Sequence, residues 1–344
     1  WADRIKDPLG LLAALARDEN PRVRMEAVLA AGQIPQMESI QVVAMASERD
    51  MDRSIEYAFT QAVHHLKPHW EEPFEKGRLT FSKMSHVAAV LNRAGSKNMV
   101  GKLRSVADNG SLSKEQRKGA MMTLLAVGGP REFREYGLNR KKFTSVGKYD
   151  PNAHAVLLAR MVEATRERGV RPEGELGEPL LELLDSGHEG VLTHALGLIG
   201  LWSVRQVEGE VLRSASDKNL GVEIRAAAFL ALARMNSNKA MGILKESSGK
   251  KNPSGIRVAA IKAMCLTDLP EAAKRTAALI GEVGLSEKEL TGLLKAFLSK
   301  TSGADRLVEA LKPVDLGQDV ADRLLQALYL SGYLSGKLSE LLGG

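Results

Sequence analysis

The sequence predicts an all-α protein, an α-solenoid in which paired helices stack into a right-handed superhelix. The first observation is a recurring motif, in which an apolar residue and an arginine precede a run of small apolar residues at helical spacing. The motif occurs at Val23-Arg24, Ile224-Arg225 and Ile256-Arg257. The last two copies lie 32 residues apart, and a recurrence of about 30–40 residues built from helix pairs is typical of α-solenoids.

The second observation is the composition of the 344-residue chain. It is 44% hydrophobic and 26% charged, as in folded soluble proteins, but only 4% aromatic. Alternating strand patterns do not persist, and no window approaches the roughly 20 apolar residues that cross a membrane. The single cysteine, Cys265, excludes an intramolecular disulfide and any multi-cysteine metal site. Because the chain begins at Trp1, we expect a processed protein or a piece of a longer polypeptide.

An N-terminal block of helix pairs is predicted over residues 1–129. Pro21 suits a first helical position, where its missing N–H would have been unpaired, and Gly32 closes that helix. Asp50 or Asp52 is a candidate N-cap. The run Lys67–Arg78 contains two prolines and a glycine, which predict a loop or a bent helix. The helices of this block are predicted at 9–17, 21–33, 37–47, 51–66, 82–93, 98–108 and 113–127.

Residues 130–179 are predicted to interrupt the array. The segment 130–150 is irregular, basic and aromatic, and a long helix follows over 151–169. The glycine- and proline-rich run Arg171–Pro179 predicts an exposed linker and a subdomain boundary.

A second block of pairs is predicted over residues 180–344, where short helices alternate with polar turns. These helices are predicted at 180–184, 190–204, 206–215, 222–235, 239–247, 255–266, 271–283, 286–298, 304–311, 317–330 and 332–342.

The motif resembles that of HEAT-type repeats, and this resemblance implies a ladder of arginines between repeats. In such repeats the arginine begins the second helix and reaches an aspartate in the adjoining turn. We expect Asp18 to pair with Arg24 and Asp217 with Arg225, with Arg257 in the corresponding place. These arginines are interpreted as structural.

The segment Asp52–Gly77 resembles part of a known family. Its sequence is DRSIEYAFTQAVHHLKPHWEEPFEKG, and its matching residues are Asp52-Arg53, Tyr57, Leu66, Pro68, Trp70 and Gly77, preceded by Asn20–Arg24. It is similar to the HEAT-repeat (PBS-lyase HEAT-like) region of large secreted bacterial proteins of the membrane-bound-dehydrogenase type. That family joins a β-propeller, a HEAT array and a cytochrome c domain. The resemblance covers about the first hundred residues and implies a periplasmic spacer or docking array without a haem site of its own.

A basic and aromatic segment is the candidate partner-binding site. Residues 97–148 hold twelve Lys and Arg against four Asp and Glu. Aromatic rings can stack on bases while cations contact phosphates, and docking of an acidic protein uses the same chemistry. A third interpretation is an amphipathic helix with Phe133 and Tyr136 inward and the cations in solvent. The candidate residues are Arg131, Phe133, Arg134, Tyr136, Arg140, Lys141, Lys142 and Phe143.

Other chemistry-bearing residues have structural interpretations. His65 and His69 are four apart, as in a helical zinc pair with His64 nearby, but Pro68 lies between them. Trp70 and Trp202 are interpreted as core residues, and Cys265 as buried and inert. His154, His188 and His194 are scattered and form no catalytic pattern. We therefore expect no catalytic residue, metal or cofactor.

These observations predict a non-catalytic scaffold whose partners are proteins, above all neighbouring domains of the same polypeptide. The location implied by the resemblance is periplasmic or secreted, with a cytoplasmic location left open. The alternative is a nucleic-acid-binding HEAT protein of the alkylpurine DNA glycosylase type, which needs a concave basic groove with aromatics and an acid at its centre. An enzyme with a site assembled across repeats would need a deep polar pocket.

Overall fold

The computed structural model describes residues 5–94, 99–108, 114–144, 148–282, 284–333 and 335–343. Across these residues the secondary structure is helical, with no strand, which confirms the all-α prediction. The helices form two compact units, the described parts of Trp1–Asp150 with Glu167–Glu173, and of Pro151–Arg166 with Gly174–Gly344.

The first unit contains the N-terminal helices and the basic segment. Helix α2 packs on α3 and α4, α1 packs on α3, and α5 and α6 pack on α7. Its helices are α1 (Pro8–Leu15), α2 (Pro21–Gly32), α3 (Ser39–Met45), α4 (Arg53–Glu75), α5 (Met84–Ala94), α6 (Val100–Asp108), α7 (Lys114–Val127), α8 (Pro130–Glu132) and α9 (Arg140–Thr144).

The second unit is a run of stacked helix pairs, preceded by α10 (Pro151–Arg168), whose last residues are grouped with the first unit. Its further helices are α11 (Gly177–Leu184), α12 (Glu189–Trp202), α13 (Glu208–Ser216), α14 (Val222–Arg234), α15 (Ala240–Ser247), α16 (Ser254–Met264), α17 (Leu269–Glu282), α18 (Glu287–Leu298), α19 (Gly303–Leu311), α20 (Gln318–Ser331) and α21 (Gly336–Gly343).

One row of helices runs through the second unit. The second helices of successive pairs, α12, α14, α16, α18 and α20, each pack on the next. The first helices stack in the same manner, α17 on α19 and α19 on α21. This nearest-neighbour packing is that of an α-solenoid. The handedness of a superhelix stays a prediction.

Glycine allows second helices to approach closely. A Cβ added at Gly200 in α12 would lie 2.6 Å from the Cα atom of Ala231 in α14. In the first unit, a Cβ added at Gly32 in α2 would lie 3.0 Å from the Cβ atom of Ala62 in α4. Small residues therefore lie at both of these helix crossings.

Helix α4 differs from its predicted extent, because it continues through Pro68 and Pro73 to Glu75. Each proline removes one helical N–H, but Trp70 and Phe74 on the same stretch are buried, and their burial favours the continued helix. The indole of Trp70 donates to the carbonyl of Val63 at 3.3 Å. Asp52 is the N-cap, as predicted.

A Schellman motif ends α4. Gly77 has a φ of +74°, the left-handed conformation that favours glycine. The Arg78 N–H donates to the Pro73 carbonyl at 2.8 Å, and the Gly77 N–H donates to the Phe74 carbonyl at 3.1 Å. The glycine of the predicted break thus terminates the helix, whereas the prolines do not.

The segment predicted as irregular is more ordered than expected. Between α8 and α9, Phe133–Leu138 forms a π-helical turn. The predicted linker Arg171–Pro179 lies mostly outside helices, but it buries Pro172 and Leu176, and its last residues begin α11.

Candidate functional site

Two aromatic residues of the basic segment point into the first unit. Phe133 and Tyr136, three residues apart on the π turn, are fully buried. The Tyr136 hydroxyl donates to Asp108 Oδ2 at 3.0 Å. Burial, together with this hydrogen bond, raises the pKa of Tyr136 far above its ordinary value. These two rings are core residues and offer no surface on which a base could stack.

Two of the candidate arginines bind groups of their own unit. Arg131 Nε lies 3.1 Å from Glu135 Oε1, one helical turn along the chain. Arg134 Nη1 donates to the backbone carbonyl of Glu173 at 2.9 Å. Arg131 stays 65% exposed at its side chain, so its exposed ion pair contributes little to stability.

The remaining cations of the segment lie on and around α9. Lys142 Nζ forms an ion pair with Asp108 Oδ1 at 2.8 Å and lies 5.4 Å from the centroid of the Tyr136 ring. The Arg140 guanidinium lies 4.1 Å from the centroid of the Tyr149 ring. Lys141 is exposed.

Phe143 lies in α9, and its side chain lies outside the described part of the structure. Several candidate cations thus bind acceptors or rings within their own unit. These contacts partly neutralise the cations of the segment, so each exposed one adds little on its own.

The arginines of the motif are buried, but their acceptors differ from those expected. Arg24 is 4% exposed. Its Nη1 donates to the backbone carbonyls of Asp18 and Glu19, at 2.9 and 3.0 Å, and its Nη2 donates to the carbonyl of Asp50 at 2.7 Å. The Asp18 carboxylate instead accepts from the N–H of Asn20 at 2.8 Å and shapes its own turn. Arg24 therefore joins the turns of two successive helix pairs through their main chains.

The second and third members of the ladder also bind carbonyls. Arg225 Nε donates to Ala215 O at 3.1 Å, while the Asp217 carboxylate accepts from a backbone N–H within its own turn. Arg257 Nε donates to Ser248 O at 3.2 Å, and its Nη2 contacts Glu282 Oε2 at 3.1 Å. The expected carboxylate partners Asp18 and Asp217 are replaced because a buried guanidinium lies next to the carbonyls that end the preceding helix.

A fourth member escaped the sequence analysis. Arg117 Nε donates to Ala107 O at 3.0 Å, ten residues back, the same separation as between Arg225 and Ala215. Its motif reads Gln116-Arg117, with a polar residue where the other copies have an aliphatic one. The run of small residues after Arg117 was the sequence signal that could have identified this copy of the motif. Arg24, Arg117, Arg225 and Arg257 are called the arginine ladder below.

A second polar cluster of the first unit has no local sequence signature. Glu48 accepts from Arg17 Nε at 3.1 Å and Lys83 Nζ at 2.6 Å, and it lies 3.1 Å from Nε2 of the buried His86. The hydrogen bond from Lys83, supported by that from Arg17, lowers the pKa of Glu48 to about 2. Burial lowers the pKa of His86, although Glu48 opposes this. These contacts span 31 to 38 residues of sequence.

The other singled-out residues divide between core and surface. Trp70 and Trp202 are buried, as predicted. Cys265 is also buried, and burial raises the pKa of its thiol to about 12. His65 and His69 are exposed.

Neither a metal cluster nor a membrane-spanning helix occurs in the described parts of the chain. Within the ranges that the structure describes, no three His, Cys, Asp or Glu side chains are grouped as a metal site would require. Of the helices described, none is both long and apolar enough to cross a bilayer.

Comparison with known proteins locates the repeats. A family model for HEAT repeats matches residues 177–265, which span α11 to α16 and two members of the arginine ladder. The chain contains a HEAT-repeat region. No curated protein matches the chain. HEAT repeats in general mediate protein interactions and scaffolding, and this is the functional class to which the region points.

Proposed function

We propose that this protein is a non-catalytic docking and spacing module that binds other proteins through its stacked helix pairs. The observation that carries the proposal is the HEAT-repeat region over residues 177–265, set in a continuous row of second helices from α12 to α20. Such rows present exposed side chains from several repeats to one partner.

The roles of potentially reactive side chains support a module without chemistry of its own. Cys265 is buried with a raised pKa, so little thiolate forms near neutral pH. His86 and His154 are buried in the helix packing. His188 caps α12, where its Nδ1 accepts from the Val191 N–H at 3.4 Å.

The proposed parent protein and location rest on the resemblance of Asp52–Gly77 to the HEAT-repeat region of large secreted bacterial proteins. We infer that the chain is part of a larger secreted redox protein, and that its partners are the catalytic and electron-transfer domains of the same polypeptide. In this arrangement the array would set the spacing between those domains in the periplasm.

The test is to express the domains that flank the chain in its complete reading frame and to titrate each into residues 1–344 by calorimetry. Saturable binding of at least one flanking domain is expected. A parallel titration measures duplex and single-stranded DNA across a salt series. Tight DNA binding that weakens steeply with salt, and is lost when Arg140, Lys141 and Lys142 are replaced by Glu, would overturn the proposal in favour of the glycosylase-type alternative. So would a failure of every flanking domain to bind.

A further inference from the structure

The second unit contains a cavity of about 710 Å³ at one edge of the stacked pairs. It lies between the turn that precedes α14 and the turn that precedes α16, and the apolar side chains of Val222 and Ile256 form part of its wall. Its volume falls in the range of about 300–1,000 Å³ that is usual for ligand pockets. It is therefore large enough to accept side chains of another molecule.

A buried arginine of the ladder lines this cavity. Arg225 is 6% exposed, and among the described residues only its Nε has a hydrogen-bond acceptor, the carbonyl of Ala215. Two other ladder members, Arg24 and Arg257, form more hydrogen bonds. Arg24 donates through Nη2 to the next turn, and Arg257 reaches the Glu282 carboxylate through Nη2. At Arg225 the guanidinium lies 5.6 Å from the centroid of the Phe229 ring and lines the cavity, and no described acceptor is bonded to its Nη1 or Nη2 atom.

The charges around the cavity favour an anion. Lys218, Lys250 and Lys251 line it together with Arg225, against a single lining carboxylate, that of Glu246. Lys250 is bound to a carboxylate outside the lining, whereas Lys218 and Lys251 have no ion-pair partner among the described residues. A guanidinium flanked by lysines recognises carboxylates through paired hydrogen bonds and net attraction.

Two helix N-termini open on the same cavity. Helix α14 starts after Gly221 and α16 after Pro253, both of which line the cavity, and neither helix has a side-chain cap. The first N–H groups of a helix and its dipole add positive potential at such a place.

We propose that this cavity is a docking pocket for an acidic segment of a partner protein, with an Asp or Glu carboxylate bound to Arg225 and neighbouring acids facing Lys218 and Lys251. The inference rests on the docking function proposed above and names the chemistry of the partner. It places the contact on the turn edge of the HEAT-repeat region, within the second unit.

The experiment measures fluorescence anisotropy of a fluorescein-labelled hexaglutamate peptide against the full chain at low salt. Binding is expected, and Lys218→Glu/Lys251→Glu should weaken it by roughly tenfold or more. The matched control is Lys288→Glu/Lys312→Glu, which makes the same charge change at two exposed lysines of the same unit outside the pocket. Arg225→Lys keeps the charge but loses the planar fork, and should also weaken binding in protein whose circular dichroism shows it to be folded.

Three results would contradict the proposed docking pocket. They are no binding of the peptide, an equal loss of peptide affinity in both double variants, or binding of inorganic phosphate without binding of the peptide. The same variants separate this inference from the docking function itself. If a flanking domain binds the wild-type chain and the Lys218→Glu/Lys251→Glu chain equally well, the proposed docking function is retained and the proposed docking pocket is wrong.

Discussion

Replacement of Gly200 by alanine should destabilise the second unit, although alanine is the better helix former. The added Cβ would lie 2.6 Å from the Cα atom of Ala231 and 3.1 Å from its Cβ atom. Because the nearest atom belongs to the backbone of α14, the contact can be relieved only by moving one helix away from the other. Overpacking of this kind costs about 1–3 kcal/mol. The gain in helix propensity returns about 1 kcal/mol, so we expect a net loss of about 1 kcal/mol.

Gly242→Ala is the matched control. Gly242 is exposed in α15, and a Cβ there would meet no atom within 4 Å. The same substitution should therefore leave stability unchanged or raise it by up to about 1 kcal/mol. Urea unfolding followed by circular dichroism at 222 nm measures both variants, and hydrogen exchange of α12 and α14 locates the effect. If the Gly200→Ala protein is as stable as the wild type, the close helix approach does not constrain this crossing.

Three further outcomes are expected. The lowered pKa of Glu48, about 2 against an ordinary 4.5, stabilises the fold above pH 4.5, and this contribution is lost as pH falls towards 2. Glu48→Gln should thus lower the free energy of unfolding by about 1–2 kcal/mol at pH 7, a modest amount because the two cationic partners of Glu48 are partly exposed. In urea unfolding, this difference from the wild type should shrink towards pH 2.5. A difference that stays constant with pH would contradict the lowered pKa of Glu48. Cys265 should not react with Ellman's reagent at pH 8 until urea unfolds the chain, and rapid labelling of the native protein would contradict its burial. Tyr136→Phe removes the hydrogen bond to Asp108 and should cost about 1 kcal/mol; an unchanged unfolding midpoint in urea would show that this bond contributes nothing.

The helices could be predicted from the sequence because their signals are local. The apolar spacing, Pro21 at a first helical position and the glycines between helices lie within a few residues of the boundaries that they mark. The continuation of α4 through Pro68 could not be predicted in this way, since burial of Trp70 and Phe74 outweighs the local preference of proline.

The candidate site was predicted less well than the fold. Aromatic and basic residues alternate in the segment around Tyr136, and three interpretations of it stayed open. The structure buries Phe133 and Tyr136, as the amphipathic interpretation expected. The cluster at Glu48 joins residues more than thirty positions apart, and no short pattern encodes it. The cavity at Arg225 is lined by residues of two separate turns, which packing brings together and no motif encodes.

The carbonyl acceptors of the arginine ladder also bear on how freely its turns can change in sequence. A backbone carbonyl is present whatever the side chain, so the turns before Arg24, Arg225 and Arg257 can differ, as DENP, SDKNLG and GKKNP do, and still supply acceptors. A change in the length of a turn should be tolerated less well, because an inserted residue would displace the carbonyl acceptors of that turn from their arginine. Such turns should accept nearly any substitution while resisting insertions, so partner specificity can diversify along this edge without loss of the repeat spacing.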